Sequence, residues 1–179
     1  DEVILKIKDS SANWGDWNTE RKYETLNRLA EKYPYSKRIR RNISAFPEAA
    51  WELDKEVESV VEKLVTNRAN VLIVGKSGTG KTSVLRQAIK KITAKKKQQL
   101  DFTFWQIMPQ RITSSAKYLG EWQEACEELV SDLAAANGIL WVVDFIRLLQ
   151  VGGQSPEVSV AAFLTPFLQE GNLQLLGEA

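Results

Sequence analysis

Val71-Leu72-Ile73-Val74 is a continuous apolar run of strand length, and the chain leaves it directly through Gly75-Lys76-Ser77-Gly78-Thr79-Gly80-Lys81-Thr82. An uninterrupted apolar run ending in glycine predicts a parallel strand buried on both faces, because a half-covered strand would alternate apolar with polar. Beyond the glycine-rich turn, Val84, Leu85, Ala88, Ile89 and Ile92 recur at the spacing of one helix face. A buried strand, a tight turn and an amphipathic helix form one βα unit. Such a unit is stable only with further parallel strands beside it and helices over them.

The rest of the chain supplies them. Phe102 to Met108 and Ile139 to Phe145 read as strands, and another begins over Leu173 to Leu176. Helical patterns cover Glu48 to Thr66, Trp122 to Ala136 and Val158 to Gln169. This alternation predicts an α/β fold, a three-layer P-loop core around a mostly parallel sheet. Upstream, Tyr23, Leu26, Leu29, Ala30 and Tyr33 predict a helix over Thr19 to Tyr33 that Pro34 stops, and Val3 to Ile7 is a short strand with no evident partner. The expected organisation is therefore an N-terminal extension over residues 1–45 and a core domain over 46–179.

The turn satisfies G-x-x-x-x-G-K-[ST] in full, and its place between strand and helix raises it above a chance match. Gly75, Ser77, Gly78, Thr79, Gly80 and Ser83 frame a loop whose inward N–H groups and helix N-terminus suit polyphosphate. Lys81 is positioned to neutralise β and γ phosphates, and the Thr82 hydroxyl to ligate Mg2+. These residues imply ATP or a close relative, with Mg2+, as the ligand. A carboxylate at the end of a neighbouring parallel strand would complete the cation site, and Ile139-Leu140-Trp141-Val142-Val143-Asp144 ends in one. Phe145 follows, at a place where hydrolytic P-loop proteins commonly carry glutamate, and phenylalanine can neither accept a proton nor orient water. Hydrolysis is expected to be slow or absent unless another carboxylate substitutes.

Composition removes several alternatives. The chain has no histidine and a single cysteine, Cys126, which excludes an internal disulfide and a conventional zinc site. Its 24 basic and 23 acidic residues nearly cancel, giving no global pull toward nucleic acid or membrane. With no apolar stretch near the ~20 residues of a membrane span, a cytoplasmic setting fits. Lys90, Lys91 and Lys95 to Lys97 read as a solvated helix end, as do Arg38, Arg40 and Arg41 as a solvated loop. Both could instead hold nucleic acid. Cys126 and most of the tryptophans are expected in the core, with Trp14 and Trp17 open to a partner-binding role.

Four separated stretches resemble the first ATPase module of Clp-type AAA+ unfoldases and disaggregases such as ClpA, ClpB and ClpC. Glu52-Leu53-Asp54-Lys55-Glu56-Val57 is similar to the family's G-R-D-x-E-I, without its glycine and arginine, and the P-loop follows. Ser115-Ala116-Lys117-Tyr118-Leu119-Gly120-Glu121-Trp122 is similar to G-A-K-Y-R-G-E-F, with Leu119 in place of the basic residue. Asp144 to Gly153, Leu164-Thr165-Pro166-Phe167-Leu168 and Gly171 to Gly177 follow the family's acidic motif, L-x-P-x-L helix and G-x-L-x-x-I-G strand.

The resemblance implies a ring-forming homo-oligomer that binds ATP or ADP. It also implies a pore loop, carried by Lys117, Tyr118 and Gly120, that grips polypeptide; packing of Tyr118 onto the core is the alternative. It places Ala179 where the family carries a small polar sensor of the γ-phosphate, and puts the arginine finger and lid beyond Ala179. A regulatory ATP-binding module, an active unfoldase and a nucleic-acid-remodelling P-loop ATPase are the readings left open.

Overall fold

The computed structural model describes residues 22–35, 52–94, 101–114, 120–153 and 155–179. Five strands form one sheet: β1 (Ala30–Tyr33), β2 (Val71–Ile73), β3 (Thr103–Ile107), β4 (Gly138–Val142) and β5 (Gln174–Glu178). Their order is β1-β3-β4-β5-β2. The β3–β4, β4–β5 and β5–β2 pairs are parallel, and β1 runs antiparallel along β3 with Ala30 opposite Ile107 and Tyr33 opposite Phe104. The helices are α1 (Glu24–Leu29), α2 (Asp54–Val65), α3 (Lys81–Ala94), α4 (Gln110–Ser114), α5 (Glu121–Ala135), α6 (Phe145–Leu148) and α7 (Val160–Gln169).

Side chains alternate across a strand, so a sheet covered on both sides sends neighbours into different cores. β4 does this residue by residue. Ile139 and Trp141 join Val57, Leu64, Leu85 and Ile89 of α2 and α3, whereas Leu140 and Val142 join Leu26, Leu129 and Leu164 of α1, α5 and α7. The result is the expected three-layer α/β sandwich, with a mostly parallel sheet in the middle.

Two expectations need correction. The helix predicted over Thr19 to Tyr33 covers Glu24 to Leu29 among the described residues, and Ala30 to Tyr33 is a strand. Helical spacing is real in this segment, yet pairing with β3 wins over it, with Ala30 and Tyr33 buried and Glu31 and Lys32 exposed. α1 is tied to α5 by Leu26 N donating to Asp132 Oδ2 at 3.0 Å and Thr25 Oγ1 donating to Glu128 Oε2 at 2.6 Å. Residues 22–35 of the expected N-terminal extension thus contribute a helix and an edge strand to the sheet.

The second correction concerns β2, expected to be buried on both faces. Among the described residues it lies at the sheet edge, and Leu72 is 44% and Val74 73% exposed. A run of apolar residues reports strand character but not which strands flank it. The strand at Ile139 to Phe145 is also shorter than expected. It ends at Val142, which frees Asp144 to cap α6 and lets Phe145 begin that helix.

Trp105, Trp122, Trp141 and Cys126 are buried. Burial pushes the Cys126 thiol from its ordinary 9.0 to about 12, with Glu127 adding to the effect. The neutral thiol is therefore the folded form; this contribution to stability is intact below the unfolded pKa and is lost as pH rises from there toward about 12. Native protein is expected to resist iodoacetamide at about pH 8.5, where a free thiol is substantially ionised, and to react promptly in denaturant. Mass spectrometry showing rapid alkylation of the folded chain would contradict this burial.

Val3 to Ile7, Trp14, Trp17, Arg38, Arg40, Arg41, Trp51 and Lys95 to Lys97 lie outside the described residues. Lys91, on the α3 face, pairs with Glu58 of α2 at 2.6 Å, a tie between helices at the surface. Among the described residues, no helix is long and apolar enough to cross a membrane.

Candidate functional site

Parallel strands deliver their carboxyl ends to one edge of the sheet, where ligands of such folds bind. β2 ends there in the glycine-rich loop. Gly78 and Gly80 hold φ of 81° and 86°, a region that side chains with Cβ rarely adopt. A Cβ on Gly75 would come within 3.1 Å of Thr79 Oγ1, whose hydroxyl donates to Lys76 O at 2.8 Å. The loop is thus narrow as well as turned. Lys81 Nζ lies over it, donating to Gly75 O at 2.6 Å and Lys76 O at 2.9 Å. An ammonium has three donors, so one remains for an added anion. α3 starts at Lys81 with no acid in its first turn, which leaves its positive end open to phosphate. Ser77 is exposed and Ser83 half-buried beside this turn.

Thr82 is half-buried, and its hydroxyl donates to Glu178 Oε2 at 2.5 Å. Glu178, the last residue of β5, is 4% exposed. Burial pushes its carboxyl above the ordinary carboxylate range, opposed by the Thr82 hydroxyl, the Trp141 indole and then the charges of Lys81 and Arg86. Its other oxygen, Oε1, has no partner in good hydrogen-bond geometry among the described residues, nor has Trp141 Nε1. Sequence reasoning missed Glu178, although Leu175-Leu176-Gly177-Glu178 has the apolar-then-acid form that selected Asp144.

Asp144 stands beyond β4 on the same sheet edge, exposed, with its Oδ1 accepting from Arg147 N at 2.9 Å. β5 separates β4 from β2, and the acid that touches Thr82 is therefore Glu178. Phe145 is half-buried and lies over β5, close enough that a Cβ on Gly177 would meet its Cδ2 at 3.2 Å. It offers this edge a hydrocarbon face. At Ala179 the backbone does the work: its N donates to Ile73 O at 3.0 Å and its O accepts from Gly75 N at 3.1 Å, pinning the loop's first residue to β5.

Among the described residues no group of three or more His, Cys, Asp or Glu side chains could hold a metal ion alone. The arrangement fits Mg2+ instead, which keeps water and phosphate oxygens and takes only one or two protein ligands. An oriented hydroxyl and a buried carboxylate with one oxygen poorly matched are such groups. Among the cavities that the described residues line, two flank the sheet. One of about 690 Å3 lies at the opposite end, against Arg68, Asn70, Gly138 and Asn172. The other, about 570 Å3, runs along the open edge of β2 past Leu53, Leu72 and Val74 to Thr79 and Lys81. Of these, the second meets the loop.

Lys117 and Tyr118 lie outside the described residues. Gly120 follows them at φ 101° and caps the start of α5, a conformation that accounts for glycine there.

Comparison with known proteins agrees with this geometry. The family model described as "P-loop containing dynein motor region" matches residues 54–116. The chain is 29% identical over 133 residues to the ClpC ATP-binding subunit of the Clp protease of Staphylococcus epidermidis, covering 69% of this chain and 16% of that protein. It is 30% identical over 128 residues to a ClpA homolog of Trieres chinensis, covering 69% and 14%. With ClpB of Aquifex aeolicus the figures are 24% over 128 residues, 69% and 13%. Among solved structures, the Saccharomyces cerevisiae Hsp104–ADP complex matches with TM-score 0.64 at 19% identity, over 86% of this chain and 26% of that one. A closed-state Hsp104 reconstruction with ATPγS and casein gives 0.68 at 19%, over 87% and 26%.

Sheet order, loop and fold relatives together define a P-loop module of the AAA+ class. Within that class the curated relatives support a Clp-type module. The chain spans only 13–16% of the length of these curated relatives.

Proposed function

We propose that this chain is the ATP-binding module of a Clp-like AAA+ protein, working as a ring-forming or regulatory unit with slow or no hydrolysis. The observation that carries the binding half is the position of Lys81 Nζ over a narrow loop, at the open N-terminus of α3. In this reading the amides of Gly75 to Thr82 and the Lys81 ammonium hold the β and γ phosphates. Thr82, Asp144 and the sheet edge around them hold Mg2+, which when bound would offset phosphate charge. The groove along β2 gives a nucleoside an apolar wall at Leu53 and Leu72. Lys117, Tyr118 and Gly120 would carry a polypeptide contact at the ring's pore, in a cytoplasmic machine.

Slow hydrolysis is supported by Phe145. Where a base would polarise water, its ring covers Gly177 and supplies no acceptor. Loss of a general base costs about 10²- to 10⁴-fold. Steady-state phosphate release by the full-length protein, measured with any other P-loop disabled, is expected below about 0.1 s⁻¹, roughly 10²-fold under the ~10 s⁻¹ median of enzymes. Turnover near that median that disappears in Lys81→Ala would defeat this half of the proposal.

A further inference from the structure

We propose that Glu178 is the positioning residue of the cation site: it fixes the Thr82 hydroxyl and supplies the carboxylate nearest to it. This inference rests on the reading of the loop as a Mg2+–triphosphate site. A threonine hydroxyl has one donor and two lone pairs. Thr82 gives its only proton to Glu178 Oε2 at 2.5 Å, which turns its lone pairs away from that carboxylate and leaves them for a cation. A carboxylate on the far side of a metal ligand orients that ligand and raises its basicity.

The placement of Glu178 is not that of a surface acid. At 4% exposure it sits in the sheet between β2 and β4, where an apolar residue would cost less to bury. Its second oxygen makes no hydrogen bond of good geometry among the described residues, and the Trp141 indole is its imperfect neighbour. Burying a carboxylate so poorly matched is unfavourable, and a cation or its bound water at the site would offset it. Asp144, by contrast, is exposed and spends an oxygen on capping α6. Glu178 is therefore the acid closest to the hydroxyl, and Asp144 the more distant one.

The test is equilibrium binding of methylanthraniloyl-ATP to the full-length protein, with any other P-loop disabled, in Mg2+ and in EDTA. Wild type is expected to bind more tightly with Mg2+. Glu178→Gln, nearly isosteric, should cut that Mg2+ advantage by about 10- to 100-fold while affinity in EDTA stays within about twofold. Because Glu178 acts through Thr82, the same change in a Thr82→Val background should cost far less than it does alone. A change that is equal in Mg2+ and EDTA, or additive with Thr82→Val, overturns the proposal in favour of a purely structural acid. Should Glu178→Gln not fold, Glu178→Asp keeps the charge, and it must retain more Mg2+ dependence than Glu178→Ala. Wild-type binding that ignores Mg2+ also overturns this inference while leaving nucleotide binding intact. Absence of any binding defeats both.

Discussion

Lys81→Ala is expected to weaken triphosphate binding by about 10- to 100-fold while leaving the unfolding temperature almost unchanged. The two halves follow from different geometry. Toward the ligand, the ammonium offers charge-assisted hydrogen bonds worth about 1.5–3 kcal/mol, made where charge density is greatest. Toward the protein, its partners Gly75 O and Lys76 O belong to an exposed loop that water can reach when the side chain is gone. Titration with a fluorescent triphosphate beside thermal unfolding separates the two. Affinity within about twofold of wild type would mean that the ligand does not lie under this ammonium.

The largest stability loss is expected from Trp141→Ala, about 3–5 kcal/mol by urea unfolding. The indole is fully buried in the centre of β4, packs edge-on against Tyr33 of β1 with ring centroids 5.2 Å apart, and faces the core built by α2 and α3. Truncation opens a cavity that neighbouring strands cannot close without breaking their ladders. Total stability of such a domain is about 5–15 kcal/mol, so this single change should bring it near the threshold of folding. The indole also adjoins Glu178, and a folded remnant should therefore bind Mg2+–nucleotide less well. A loss under about 1 kcal/mol would mean that β4 is not the middle of the sheet.

Much of this architecture was legible in the chain because strand and helix periods report local structure directly. β2, β3, β4 and β5 each announce themselves as apolar runs, and the loop after β2 carries its own motif. What was not legible depends on neighbours. Leu26, Leu29, Ala30 and Tyr33 keep helical spacing, and only the presence of β3 alongside converts residues 30–33 to a strand. Leu72 and Val74 are as apolar as a covered strand requires, yet among the described residues β2 lies at the edge.

Glu178 shows the same limit at the candidate site. The resemblance drew attention to Ala179 and passed over its neighbour, and in a strand one residue changes the face. Ala179 contributes backbone to Ile73 and Gly75, while Glu178 reaches Thr82. Its meaning depends on β5 lying between β2 and β4, an order that apolar patterning does not encode. The structure sets Asp144 and Phe145 beyond β4, yet their order in sequence said nothing about the ring of Phe145 reaching Gly177.

Backbone amide NMR during addition of Mg2+–ATP tests the central claim most directly, because it reports which atoms meet the phosphates. The account predicts saturable shifts concentrated in the amides of Gly75 to Thr82, with Glu178 and Ala179 responding across the β2–β5 pair. Shifts centred on Arg68, Asn70 and Asn172 at the opposite cavity, with the loop amides unmoved at saturation, would contradict it.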